Sequence, residues 1–556
     1  MKSAEEMTRA VLGTAWDRYD LPEEANLPHH EMVSAVVESV ELAAAIPDES
    51  ANGGAEVSSD DAKPAKSELK KASISLRLAQ AIEADYDFIE DEDLLGTYYA
   101  VKKGTLDRPC PVGTSALYDE ALVIGIEKLG DSPGKHSIND AMGIVGAWLR
   151  TGRINTTKKK IGLRSQVFRG NNGLIEEVVI DLAERGNHRV VVVNADGWSV
   201  KNGHDKVAFR INDQTRPLSD PTIAKPDYQP LWEMTMFEEG SRHRDLSRGW
   251  LANAFISDEE RPMPLLLGPP SAGKTTRASA LLQPVNPPKI QSGSPVIGSG
   301  LTSRVETEQN KATAQYLVGY DNLGEKVTRE MSDHIARLVT GDIVQRRQLY
   351  TDGTLYEDAY KRSGVMTAIS IPNFEADAMM RVIPLHLEAI EDEQRVDRNR
   401  LWKRYEEQSG SVLAAVLDDL ALIIKWQSEE PSEKPRMSGY YSNLWRLDRA
   451  SGTTLAESYW DSIDESEEEQ AQSDLFVQTV LAALKSQGGE IEMSSLEEMR
   501  RFVEKFCDED KRKYLPQKAR SFGDAFKMKG TLFATVGISF RLRKTNGKKI
   551  YSIAQE

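Results

Sequence analysis

Eight consecutive residues, Gly268-Pro269-Pro270-Ser271-Ala272-Gly273-Lys274-Thr275, carry the most specific chemistry in this chain. Glycines at 268 and 273 permit a tight turn whose backbone N–H groups converge on phosphate oxygens. Lys274 has the reach for β- and γ-phosphates, and the Thr275 hydroxyl can enter the shell of a Mg²⁺ ion. With Thr276 as its last member, this stretch is the expected nucleotide-binding set. The flanks fit the motif. Met263–Leu267 reads as a buried strand entering the loop, and Lys274–Leu282, stopped by Pro284, reads as a helix leaving it. The chain is therefore expected to bind a nucleoside triphosphate.

A second constellation follows. Tyr316-Leu-Val-Gly-Tyr-Asp321-Asn322 ends an apolar run on a carboxylate, which suits an acid directed at the Mg²⁺ shell beside the loop. Asn322 stands where many ATPases place a Glu to orient the attacking water. Slow hydrolysis, or use of another carboxylate such as Glu325, would follow. Gly364–Ile371 reads as the next buried strand, in which Thr367, Ser370 or Asn373 is placed to sense a γ-phosphate, packing being an equally ordinary role. Arg381 opens a further strand. An arginine there can complete a neighbouring subunit's site by stabilising charge on the transferred phosphoryl group; a salt-bridged surface residue is the alternative.

Two basic hairpins stand apart from this site. Asp352-Gly353, flanked by aromatic and β-branched residues, is a hairpin turn signal. Arg346, Arg347, Tyr350, Lys361 and Arg362 on or near that hairpin combine positive charge with an aromatic face, as a single-stranded nucleic acid with stacked bases requires. Arginines paired with acidic neighbours are the competing explanation. Near the C-terminus, Arg541, Arg543, Lys544, Lys548 and Lys549 alternate with apolar residues around an Asn546-Gly547 turn. With the helical stretch Gln517–Val536 before it, this predicts a winged helix carrying Lys518, Arg520, Lys527 and Lys529. A protein-docking winged helix is the other possibility.

The elements that must position these residues divide the 556-residue chain into five parts. Residues 1–75 read as N-terminal helices and a flexible linker, and 76–245 as a helical region followed by β-rich runs. Residues 246–430 read as the ATPase core, 431–490 as a helical connector in which acidic Asp461–Asp474 is a linker or exposed helix, and 491–556 as the winged helix. The formal charge is −17. From Arg500 to Glu556, however, 15 basic residues face 6 acidic ones, leaving −26 for the rest. An acidic body with a basic end suits a local nucleic-acid surface. No apolar run approaches 18 residues and no signal pattern is present, which predicts a soluble cytoplasmic protein with no membrane partner. Cys110 and Cys507 lack metal-ligand spacing and are expected to be reduced thiols.

The order of these elements resembles a known family. The phosphate loop, Tyr320-Asp321-Asn322-Leu323, Ser332-Asp333-His334-Ile335-Ala336-Arg337-Leu338-Val339-Thr340-Gly341-Asp342 and Arg347–Asp352 are similar to ATP-binding proteins of phages and integrative elements. These are the superfamily III, poxvirus-type primase–helicase ATPases of the AAA+ class, in which a separation of 47 residues between Lys274 and Asp321 is usual. The resemblance implies an α/β fold: a P-loop AAA+-like core, a mixed α+β region before it and a C-terminal winged helix. It implies a ring, a hexamer, that translocates on single-stranded and duplex DNA using ATP and Mg²⁺, with a separate primase or polymerase as a possible partner. It gives Lys274 and Thr275 to phosphate and metal, Asp321 to the metal, Thr367 to the place of a sensor Asn, and Arg381 to the trans arginine finger. The Arg346–Tyr350 hairpin takes the place of a pore-facing DNA element. Asn322 and Thr367 depart from the family's usual residues. The expected function is a DNA-dependent ATPase and helicase in replication of a mobile element. Its alternative is an ATP-binding DNA switch without processive unwinding. A small-molecule kinase lacks a lid motif here and leaves the basic C-terminus without a use.

Overall fold

The computed structural model describes residues 73–105, 108–184, 186–298, 300–347, 355–394, 396–545 and 548–555, and statements of structure below concern these. The predicted elements of 1–71, Tyr350, and the Asp352-Gly353 and Asn546-Gly547 turns lie outside them.

Helix α1 (Ile74–Asp85) starts at Ser73, whose hydroxyl accepts from the Leu76 N–H. Strands β1 (Tyr86–Asp91), β2 (Tyr98–Lys102) and β3 (Cys110–Pro111), helices α2 (Ser115–Leu129) and α3 (Lys135–Arg150), and β4 (Thr156–Gly162) follow. Next comes an antiparallel meander of β5 (Ser165–Arg169), β6 (Ile175–Asp181), β7 (Arg189–Asn194) and β8 (Gly197–Asn202), after which β9 (Val207–Phe209) rejoins the first sheet in the order β3-β2-β1-β4-β9. In residues 76–153, which read as mostly helical with a hairpin or loop around Tyr98–Gly104, β1, β2 and β3 pair as sheet, β2 lying in that stretch. The Asp and Glu residues of β1 hid its apolar positions, Tyr86, Phe88 and Ile89, which are buried.

Helices α4 (Gln229–Thr235) and α5 (Arg242–Asn253) lead to β10 (Met263–Leu267) and α6 (Lys274–Leu282). A small hairpin, β11 (Lys289–Gln291) and β12 (Ser294–Val296), precedes α7 (Val305–Ala314), β13 (Leu317–Leu323) and α8 (Arg329–Thr340). The hairpin β14 (Asp342–Arg347) and β15 (Leu355–Tyr360) comes next, then β16 (Ser363–Ala368), α9 (Ala376–Met379) and β17 (Val382–His386). Four of these strands form a parallel sheet in the order β13-β16-β10-β17. Every residue of β10 and β16 is buried, as a parallel sheet covered on both faces requires.

Gly364 in β16 sets the spacing of that sheet: a Cβ there would lie 1.9 Å from the Val318 carbonyl oxygen of β13. Gly364→Ala should therefore cost about 2 kcal/mol or more, through forced displacement of a buried strand. A denaturant midpoint unchanged from wild type would refute this.

The chain continues through α10 (Arg398–Lys425), α11 (Ser438–Ser451) and α12 (Leu455–Ser473). The last part holds α13 (Leu475–Ser486), β18 (Glu490–Met493), α14 (Leu496–Glu504), α15 (Ala519–Met528), α16 (Gly530–Thr535), β19 (Ile538–Thr545) and β20 (Lys548–Gln555), with its sheet ordered β18-β20-β19. The acidic Asp461–Asp474 stretch falls almost wholly within α12, whose Ser458, Ser462, Ser466 and Ala471 are buried. One buried cluster runs from Leu163 to Tyr459, so the meander shares a core with the parallel sheet. Separate clusters hold Leu78–Ile154 and Ala471–Ile553, the latter around Phe476, Phe522, Phe526 and Phe533.

Candidate nucleotide site and nucleic-acid surfaces

The loop after β10 is shaped by local backbone demands. Gly268 adopts φ 155° and a Cβ there would meet the Leu387 carbonyl oxygen at 2.4 Å; Gly273, at φ 67°, begins α6. Ser271 holds a left-handed φ of 71° without being glycine, a strain of about 1–3 kcal/mol of the kind concentrated in binding loops. The segment after β17 walls the loop: Leu387 N–H donates to Leu267 and Ile390 N–H to Ser271.

Lys274 Nζ donates to the carbonyls of Gly268 (2.7 Å) and Pro269 (2.9 Å), so its ammonium lies over the loop. Burial lowers its pKa, and Asp321 opposes that shift. Thr275 Oγ1 lies 2.9 and 3.1 Å from the two carboxylate oxygens of Asp321. These are hard oxygen donors converging beside the loop, a set suited to a Mg²⁺ ion that keeps several waters and phosphate oxygens in its shell. Among the described residues no group of three or more His, Cys, Asp or Glu is arranged to hold a metal by protein ligands alone.

Thr367 is 1% exposed and lies on β16, between the phosphate-loop strand and the Asp321 strand. Its hydroxyl donates to Asp321 Oδ1 at 2.7 Å and accepts from the Asn322 N–H at 2.7 Å. It thereby fixes the carboxylate that faces Thr275. Asn322 sits in a bulge of β13 at φ 55°, a conformation Asn tolerates better than most residues, with its side chain exposed. Glu325 is also exposed, on a loop pinned where Val327 N–H donates to Asn373 Oδ1 at 2.7 Å and Asn373 N–H to the Glu325 carbonyl. Asn373 is thus occupied in holding that loop, and Ser370 is exposed.

Thr367→Val keeps the shape but removes both hydrogen bonds. It should lower Mg²⁺-dependent ATP turnover about 10- to 100-fold, the usual effect of losing a partner behind a metal ligand, while Thr367→Ser retains most of it. Equal turnover in Val and Ser variants would show that the hydroxyl does not position Asp321.

The structure brings Lys274, Thr275, Asp321, Asn322 and Thr367 together and places Arg381 elsewhere. Arg381 is 6% exposed, at the start of β17, and Nη1 is 3.0 Å from Asp377 Oδ1. Arg436 shares that carboxylate at 2.5 Å. Since Met263 pairs with Val382, Arg381 stands at the end of the strands opposite the phosphate loop, roughly 17 Å away along five strand residues.

The β14–β15 hairpin meets the sheet at this same opposite end, because β16 begins at Ser363 beside Leu317. Arg346 pairs with Tyr356 and Arg347 with Leu355 in its antiparallel register. The two cations at its base are engaged: Lys361 Nζ donates to the Asp258 carbonyl at 2.8 Å, and Arg362 Nε to those of Ala312 and Gln315. In the last part of the chain, Arg541, Arg543, Lys544 and Lys549 are exposed on the β19–β20 hairpin. Arg520, Lys527 and Lys518 are exposed at α15, whereas Lys529 pairs with Asp474 at 2.6 Å.

Residues 231–469 match the family model of the Actinomycete integrative conjugative element replication protein. This stretch is similar to replication proteins. It holds the phosphate loop, Asp321, Thr367 and Arg381. No curated protein matches the chain. Among solved structures, the A form apo structure of the NrS-1 C-terminal region covers 87% of this chain and 100% of its own, at 11% identity and a TM-score of 0.36. JCV helicase bound to an acetamide compound covers 43% of this chain and 64% of its own, at 12% identity and a TM-score of 0.23. Among the described residues no helix is long and apolar enough to cross a membrane.

Proposed function

We propose that this chain is an ATP-dependent DNA helicase or translocase for replication of a phage or other mobile element, acting as a ring of its own copies, a hexamer in the expected form. The observation that carries the reading is the convergence of Lys274, Thr275, Asp321 and Thr367 at the C-terminal end of the strands of a parallel sheet. ATP and Mg²⁺ are the cofactors of that constellation. The similarity of residues 231–469 to replication proteins of integrative elements supports the biological setting. The arginine-bearing β14–β15 hairpin leaves the other end, and α8 runs from the Asp321 strand directly to it. That arrangement suits transmission of the nucleotide state to a strand of DNA.

The last part of the chain, in the order α13, β18, α14, α15, α16, β19, β20, supports the winged-helix reading, with β19–β20 as wing and α15 offered to duplex DNA. Neutralising Lys544, Lys548 and Lys549 should weaken duplex binding and lower the salt slope of log K by about 2.7 if each lysine neutralises one phosphate. Unchanged affinity and slope would remove the wing from the DNA surface.

Arg381 is proposed as the trans finger. Arg381→Ala should spare ATP binding and reduce turnover only in the assembled protein; parallel loss of binding and melting temperature would assign it to the Asp377 pair alone. A second reading is favoured by one observation, the exposed Asn322 where an acid is usual. In that reading the chain is an ATP-binding DNA switch or origin-regulating protein without processive unwinding. ATP turnover with and without single-stranded DNA, beside strand displacement on a forked duplex, decides. DNA-stimulated turnover with displacement supports the motor; bound ATP with negligible turnover and no displacement supports the switch.

A further inference from the structure

Among the described residues, the buried arginines other than Arg277 have hydrogen-bond or ion-pair partners. Arg164 donates to the carbonyls of Asp181 and Arg216, Arg261 to the Ala254 carbonyl and the Tyr316 hydroxyl, Arg381 to Asp377, and Arg446 to Glu430. Arg277 is 8% exposed, yet among the described residues it makes no hydrogen bond or ion pair, and its Nε is sealed from solvent without an acceptor. A nearly buried guanidinium whose donors meet no protein acceptor has hydrogen bonds to offer a ligand.

Its position says which ligand. Arg277 comes off α6 one turn after Lys274, and its Nε lies 3.8 Å from where a Gly273 Cβ would stand. The guanidinium lies over the Phe237 ring, Cζ 5.7 Å from the centroid, and Phe237 in turn stacks on His243 at 5.3 Å. The β- and γ-phosphate positions already have Lys274 and the loop amides. Beside Arg277 the wall is aromatic, and a planar cation against aromatic rings matches a flat π-bearing ligand with in-plane acceptors.

We infer that Arg277, backed by Phe237 and His243, is the receptor for the purine end of the bound nucleoside triphosphate. The inference rests on the nucleotide reading above and assigns the one part of the ligand that the phosphate loop leaves unspecified.

The test is calorimetric titration of ATP and of inorganic tripolyphosphate, each with Mg²⁺, into wild type, Arg277→Met and Arg277→Lys, with melting temperatures of the ligand-free proteins. The expected result is at least a 10-fold loss of ATP affinity in both variants and tripolyphosphate affinity within 2-fold of wild type. Ligand-free Arg277→Met should also melt above wild type, because an unpaired buried charge is gone. Unchanged ATP affinity in Arg277→Met overturns the assignment, as does an equal loss for tripolyphosphate, which would make Arg277 a phosphate or structural residue. Wild type that binds tripolyphosphate as tightly as ATP overturns the purine contact and leaves the phosphate loop standing; wild type that binds neither overturns both.

Discussion

Lys274→Ala should abolish ATP turnover, by about two to three orders of magnitude or to background, while leaving the fold almost untouched. In the structure the ammonium holds only two carbonyl bonds, to Gly268 and Pro269. Both carbonyls stay in a partly exposed loop where water can replace the lost donor, so stability should fall by no more than about 1–2 kcal/mol. The charge itself is held at some expense, since burial lowers the Lys274 pKa. A triphosphate reverses that expense by placing negative charge beside it, and alanine forfeits the gain. The measurement is steady-state phosphate release with a melting curve on the same preparation. Full turnover in Lys274→Ala would refute the nucleotide-site assignment, and lost turnover with a collapsed melting transition would reveal a structural lysine.

The parts of this site that were legible in the sequence share one property: their chemistry is specified by neighbours in the chain. Gly268 and Gly273 are demanded by the turn, Lys274 and Thr275 by the first helical turn, and Asp321 by the end of an apolar run. Thr367 was readable as a polar residue in a buried strand, but its partner was not, because Asp321 lies 46 residues away. Asn322 looked only like a missing acid; its backbone shows a second reason for the residue, a left-handed bulge position that Asn tolerates. Lys361 and Arg362 illustrate the opposite difficulty. They read as part of a basic hairpin, whereas carbonyls of Asp258, Ala312 and Gln315, remote in the chain, take their donors. Arg277 could not be found at all from sequence, since what distinguishes it is the lack of a hydrogen-bond acceptor in a buried place. In α12 a signal was present: serines at 458, 462 and 466 recur every four residues and mark the packed face of a helix whose acidic composition suggested a linker or an exposed helix.

Replacing Arg346 and Arg347 together by alanine should separate the two ends of the parallel sheet functionally. The hairpin leaves the end opposite the phosphate loop, so neither arginine belongs to the elements that hold Lys274, Thr275, Asp321 or Thr367. Basal turnover without DNA should therefore stay within about 2-fold of wild type, an effect under roughly 0.5 kcal/mol. Single-stranded DNA binding should weaken, and its salt slope should drop by about 1.4 if each arginine neutralises one backbone phosphate. Strand displacement on a forked duplex should be lost, because a nucleotide cycle that no longer grips the strand performs no translocation. DNA-stimulated turnover should disappear with it, since α8 joins the Asp321 strand to this hairpin and stimulation requires that DNA load the hairpin end. The decisive comparison is the ratio of turnover with and without single-stranded DNA. A ratio unchanged from wild type, with unwinding intact, would take the hairpin off the DNA path. A ratio of one in the variant, with basal turnover preserved, would leave the β14–β15 hairpin as the place where nucleotide chemistry meets the strand.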